Sequence, residues 1–60
     1  MIMKYRKRFV DSDEWKDVSY EQALHALLGT YRDNDITREM LTMEGIIPCM
    51  FSEVEVYVAD

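Results

Sequence analysis

The pattern of apolar and polar positions predicts a β-strand over residues 3–10. Tyr5 and Phe9 lie on one side of this stretch. The opposite side carries the basic residues Lys4, Arg6 and Arg8. A period of two is typical of a half-buried strand. Lys7 interrupts the apolar side, which indicates an edge strand or the end of the strand.

The segment that follows predicts a turn, a short returning strand and a helix. Polar residues at 11–14 favour a turn, and Trp15–Val18 can return beside the first strand. Ser19 and Gln22 have the spacing of a capping box, and Glu21 lies in the first helical turn, where a negative charge is favoured. Helical spacing then defines one buried face, formed by Tyr20, Ala23, Leu24, Leu27, Leu28 and Tyr31.

A second helix is predicted over Ile36–Glu44, with N-cap candidates at 33–35 and Gly45 as its C-terminal stop. Residues 46–48 then form a connector or a sheet edge, because Pro48 cannot donate a hydrogen bond to a ladder. The residues of this helix expected to face inward are Ile36, Met40, Leu41 and, at its end, Met43.

Phe51–Val58 is the clearest strand in the sequence. One of its faces carries Val54, Val56 and Val58. The other face carries Glu53, Glu55 and Tyr57. Alternation over residues 53–58 predicts that the valines are buried and that the acidic face is exposed.

Opposite charges on the first and last strands predict that these strands are neighbours, since cross-strand pairs of opposite charge stabilise a sheet. The expected fold is a small two-layer α+β sandwich. Its two- to three-stranded, mainly antiparallel sheet has the order 2-1-3, and both helices pack on one face, the valine face. Sixty residues predict a single small domain over 1–60.

Composition excludes several kinds of site. One cysteine and one histidine allow neither an internal disulfide nor a Cys/His zinc site within the chain. Seven basic and twelve acidic residues give a net charge of -5. This acidic surplus opposes general affinity for nucleic acid, which depends on neutralising phosphates, and it favours a protein partner with a basic surface.

Candidate catalytic residues are few. Glu21 and His25 are one helical turn apart, as in an acid–base or metal-binding pair, but a solvent-facing pair is the simpler interpretation. Cys49 could act as a nucleophile only with His25 as its base, and no oxyanion loop accompanies it. We therefore expect no enzymatic activity, no cofactor and no bound metal.

Candidate contact residues are acidic, aromatic or flexible. Carboxylates spaced about 6–7 Å apart on a helix or a strand resemble the spacing of phosphates along nucleic acid, although a solvated acidic face has the same pattern. Methionine adapts to irregular contact surfaces, and an exposed aromatic side chain is typical of an interface. The predicted partner-binding residues are Glu53, Glu55, Tyr57, Asp35, Glu39 and Met43.

These features favour a non-enzymatic, acidic protein-binding module. The general character is that of small phage or mobile-element inhibitors, which would occupy a surface of a host nucleic-acid-handling protein. One alternative is a nucleic-acid-binding or regulatory module that uses Lys4, Arg6 and Arg8, although pairing of these residues with Glu53 and Glu55 would neutralise them. The other alternative is a homodimeric structural or accessory protein.

The sequence also predicts the location of the protein and its assembly. A lone thiol without an export signal indicates the cytoplasm, and no apolar run approaches the roughly 20 residues of a membrane span. The uncovered Tyr57 face and the long last strand favour a homodimer, through either that face or a strand edge.

Overall fold

A four-stranded antiparallel sheet carries two helices on one face. The computed structural model describes residues 2–60. Its elements are β1 (Ile2–Phe9), β2 (Lys16–Val18), α1 (Tyr20–Leu28), α2 (Asp35–Met40), β3 (Gly45–Pro48) and β4 (Ser52–Ala59). The predicted α+β class is confirmed.

The antiparallel pairing of β1 with β4 forms the centre of the sheet. The register runs from Ile2 opposite Ala59 to Phe9 opposite Ser52, which confirms that the two strands are neighbours. Within it, the core side chains Val54 and Val56 lie on the helix side. A slip of one residue would turn them outward, so burial of this face fixes the register.

The predicted sheet lacks one strand. The observed order is β2-β1-β4-β3; its first three strands follow the expected order 2-1-3, and β3 adds a fourth strand at the edge. Residues 46–48 pair with β4 as an edge strand, and Ile47 lies opposite Val54 in the core. Gly45 opens this strand with a φ of 147°, a value that favours glycine, instead of ending a helix. Pro48 is tolerated there because an edge strand bonds on one side only.

Helix α1 begins as the sequence predicts. The Ser19 hydroxyl accepts a hydrogen bond from the Gln22 N–H at 3.1 Å, and the Gln22 side-chain carbonyl accepts one from the Ser19 N–H at 2.9 Å. This reciprocal capping box satisfies two backbone donors at the helix start. Ala23 and Leu27 on the inner face are fully buried.

Helix α2 is shorter than the predicted helix at 36–44. The Leu41 N–H bonds to the Arg38 carbonyl at 3.1 Å, and the Thr42 N–H bonds to the Glu39 carbonyl at 2.9 Å. These bonds span three residues and tighten the last turn. The Thr42 hydroxyl also donates to the Glu39 carbonyl at 2.6 Å. A side chain that competes for helix carbonyls in this way favours termination.

The inward face of α2 also differs from the prediction. The Asn34 side chain accepts a hydrogen bond from the Thr37 N–H at 2.9 Å and so sets the helix start. Thr37 is buried, and its hydroxyl donates to the Arg32 carbonyl. Leu41, four residues later, is fully buried as expected. Ile36 was expected inward but is 72% exposed, because Thr37 occupies the inward position.

The hydrophobic core is small and lies between the sheet and the helices. Its buried apolar residues are Ala23, Leu27, Leu41, Ile47, Val54 and Val56. The Tyr5 hydroxyl donates to the Leu41 carbonyl at 3.3 Å and links β1 to the chain just after α2. Within residues 2–60, no helix is long and apolar enough to cross a membrane.

The capping box gives a first prediction. Ser19→Ala should lower the free energy of unfolding by about 1 kcal/mol. For a chain of this length, that loss corresponds to a fall of roughly 4–8 °C in Tm. Ser19→Asp, which keeps a capping oxygen, should retain most of the stability. Thermal denaturation followed by circular dichroism tests both variants, and an unchanged Tm for Ser19→Ala would contradict a stabilising cap.

Candidate interaction surfaces

The sheet face opposite the helices, here called the open face, carries balanced charge. Strand alternation places three basic and three acidic side chains on it: Lys4, Arg6, Arg8, Asp17, Glu53 and Glu55. Their formal charges cancel. The acidic surplus of the chain therefore lies elsewhere, on the helices and the loops.

Two ion pairs cross the central strands on the open face. Arg6 pairs with Glu55, and Arg8 pairs with Glu53. All four side chains are partly shielded, with exposed fractions between 23% and 38%. Two of the predicted partner-binding carboxylates thus face guanidinium groups of their own chain. The same ion pairs neutralise Arg6 and Arg8, two of the three residues predicted to bind nucleic acid in the alternative function.

The Trp15 ring lies over these two ion pairs. This contact was not predicted from the sequence. The ring centroid lies 4.8 Å from the Arg6 Cζ and 4.9 Å from the Arg8 Cζ. Both distances are typical of cation–π contacts. The signal was available in the sequence, because Trp15 lies two residues before Asp17 and so shares its face.

Tyr57 also closes onto the open face. Its hydroxyl donates to the Asp17 carboxylate at 3.0 Å, and the Arg6 Cζ lies 5.5 Å from its ring centroid. The hydrogen bond to Asp17 is the main reason that the pKa of Tyr57 is raised above its ordinary value. Tyr57 was expected to project uncovered, but it is half-buried among side chains of its own sheet.

The candidate catalytic groups do not converge. Glu21 and His25 are exposed on α1 and line one open groove. Cys49 is half-buried and lines a different groove, and burial raises the pKa of its thiol. Its Sγ donates to the Ile47 carbonyl at 3.8 Å. In the described part of the chain, no group of three or more His, Cys, Asp or Glu side chains could hold a metal ion.

A mixed apolar and acidic surface lies on α2 and the residues just after it. We call it the α2 surface and define it by Ile36, Met40, Met43, Asp35, Glu39 and Glu44. Ile36 and Met43 are 72% and 64% exposed. Ile46 is 53% exposed, but it is the cross-strand partner of Glu55 and therefore lies on the open face. Met40 and Met43 line a groove of about 230 Å³ beside β3.

The acidic rim of the α2 surface is free of internal ion pairs. Among residues 2–60, Asp35, Glu39 and Glu44 take part in none, and the nearby cation Arg38 pairs with Asp33 at 2.7 Å. The sequence prediction named three members of this surface, Asp35, Glu39 and Met43. The other three are Glu44, Met40 and Ile36, of which Met40 and Ile36 were expected to face inward.

A second apolar patch lies where β1 ends and β4 begins. We call it the end cluster; it consists of Phe9, Val10, Met50 and Phe51, which are 55–70% exposed. The Val10 N–H bonds to the Phe51 carbonyl at 3.1 Å and joins its two halves. Sequence reasoning missed this patch because about 40 residues separate its halves, and only the β1–β4 register brings them together.

The ion-pair ladder gives a second prediction. Arg6→Glu places like charges opposite each other and should destabilise the fold by about 1 kcal/mol. Adding Glu55→Arg should restore part of this loss, since the two residues are cross-strand partners. Chemical denaturation of all four members of the double-mutant cycle measures the coupling.

A control variant with the same composition as the charge-swapped double mutant tests the register of the two strands. Arg6→Glu combined with Glu53→Arg puts like charges at both rungs and should be less stable than the matched pair. Equal stability of the matched and mismatched variants would contradict the ladder.

Tyr57 gives a third prediction. Its raised pKa means that the folded state favours the protonated phenol, so the stabilisation is complete below the ordinary value of about 10 and is lost as pH rises through the folded-state pKa. Burial raises the pKa of Tyr5 in the same direction. The free energy of unfolding should therefore fall above about pH 10, and less steeply in Tyr57→Phe. Urea denaturation below and above this pH measures the slopes; equal slopes would contradict the Asp17 bond.

Comparison with known proteins gives no match: no family model fits the sequence, and neither a curated protein nor a solved structure is significantly similar to it. Function must therefore be inferred from the chain's own surfaces.

Proposed function

We propose that this chain is a non-enzymatic protein-binding module, and that its α2 surface takes a partner with an apolar centre and a basic rim. One observation carries the proposal: exposed Ile36 and Met43 lie close in the chain to Asp35, Glu39 and Glu44, carboxylates that are in no ion pair within the described residues. An apolar centre within a polar rim is the usual anatomy of a protein interface.

The components of the surface suit this role. The side chains of Met40 and Met43 can adapt to a partner of irregular shape. The groove between them and β3 offers a pocket for one apolar anchor of the partner. The carboxylates at its rim would speed the approach of a basic partner and disfavour acidic ones.

Nucleic-acid-handling proteins are the partner class that we propose, because their binding grooves are basic. Asp35 and Glu39 are one helical turn apart, about 6 Å, which is similar to the spacing of phosphates on a strand. A chain that placed these carboxylates in such a groove would act as an inhibitor by occupying it. In this proposal the helix, rather than the Glu53 and Glu55 face, supplies the phosphate-like charges.

The ion pairs of the open face weigh against the nucleic-acid-binding alternative. Arg6 and Arg8 already face carboxylates, so binding phosphate would require both pairs to break. Lys4 is the remaining residue predicted to bind nucleic acid, and one phosphate contact supports little affinity.

The proposed function gives a fourth prediction. The immobilised chain should capture a basic protein from cell lysate at low salt and release it at high salt. Glu39→Lys should abolish capture, and Met43→Ala should weaken it about tenfold or more, the effect of losing a well-placed contact residue. Labelled DNA or RNA mixed with the pure chain should show no retardation.

Glu21→Lys is the matched control, since it makes the same charge change on an exposed position of α1. It should leave capture largely intact. Equal loss in Glu21→Lys and Glu39→Lys would mean that net charge alone attracts the partner, and it would contradict a specific α2 surface.

A further inference from the structure

We infer that the end cluster is the contact surface of a homodimer of this chain. Its four side chains, Phe9, Val10, Met50 and Phe51, are 55%, 62%, 64% and 70% exposed, and Phe9, Met50 and Phe51 line one groove. A contiguous exposed patch of this kind marks an interaction site, whereas single exposed apolar residues need no explanation. This surface shares no residue with the α2 surface, so the inference goes beyond the proposed function.

The end cluster is held in place before any partner arrives. The bond from the Val10 N–H to the Phe51 carbonyl, 3.1 Å, ties the two halves together. The Met50 N–H donates to the Thr30 hydroxyl at 2.8 Å and fixes the turn between β3 and β4 against the end of α1. Two phenylalanines on an ordered backbone bring a large contact area at a small entropic cost.

Charge complementarity identifies a second copy as the occupant. The cluster is bordered by a cation, since the Lys7 Nζ lies 5.0 Å from the Phe9 ring centroid. It is also bordered by the turn that follows Val10, which carries Asp11, Asp13 and Glu14. These three carboxylates are in no ion pair within the described residues.

A border that carries both signs of charge is self-complementary. In a two-fold interface the same patch is used on both copies, so residue i of one meets residue j of the other, and j meets i. Lys7 of each copy can then approach the acidic turn of its partner. A uniformly basic or uniformly acidic partner would satisfy only one of the two charge types.

The expected dimer is weak. The four exposed side chains offer on the order of 400 Å² of apolar surface per copy, against about 800 Å² in a standard interface. The charged border adds to this area, and we expect a dissociation constant on the order of micromolar. The sequence predicts a dimer through the Tyr57 face or an edge of the last strand. The end cluster replaces both, because Tyr57 is engaged within its own sheet and β4 is paired on both sides.

Sedimentation equilibrium of the full chain tests the inference. The wild type should be a monomer–dimer mixture over micromolar concentrations. Phe51→Ser should raise the dissociation constant tenfold or more. Ile36→Ser is the matched control, since Ile36 is 72% exposed and lies on the α2 surface, and it should dimerise as the wild type does.

A charge exchange tests the identity of the occupant. Lys7→Glu alone should weaken the dimer, and so should Asp11→Lys combined with Asp13→Lys. An equimolar mixture of these two variants should regain dimerisation, because both contacts in the mixed dimer again join opposite charges. Circular dichroism confirms that each variant is folded before it is mixed.

Three results would overturn the inference. The first is a folded monomer for the wild type at all concentrations tested. The second is a dimer that Tyr57→Ala weakens and Phe51→Ser does not. The third is a mixture of the charge variants that associates no better than either one alone.

Discussion

The antiparallel pairing of β1 with β4 is the interaction on which the rest of this structure depends. One register turns Val54 and Val56 towards the helices and brings the basic and acidic side chains of the two strands together on the opposite face. The same register joins Val10 to Phe51 at the end of the sheet. Core, charge ladder and end cluster are therefore consequences of one alignment, and none of them can change alone.

This alignment also decides which charges are available to a partner. In the sheet, Arg6 and Arg8 form ion pairs with Glu55 and Glu53. The Trp15 and Tyr57 rings lie beside these pairs. The carboxylates that remain free of internal ion pairs among residues 2–60 include those around α2 and in the turn after β1. Both of these regions also expose apolar side chains, and a partner surface requires that combination more than it requires net charge.

Local signals predicted the elements whose bonds are local. The Ser19–Gln22 capping box and the alternation of β4 could be predicted because each depends on residues that are neighbours in sequence. Ile36 was misplaced because the cap at Asn34 and the inward Thr37 set the rotation of a helix too short to show a period. Residues 46–48 were ambiguous, since a four-residue edge strand with a proline resembles a connector. The end cluster is a product of long-range pairing and left no sequence signal.

The central position of β1 and β4 has a consequence for the order of folding. Paired residues in these strands are 43 to 57 positions apart, whereas Lys7 and Lys16 in β1 and β2, or Ile47 and Val54 in β3 and β4, are close in sequence. Closing the long loop costs more chain entropy than closing either hairpin. The two hairpins and α1 can therefore form first. The valine face then stays open to solvent, or to aberrant strand partners, until the two hairpins join.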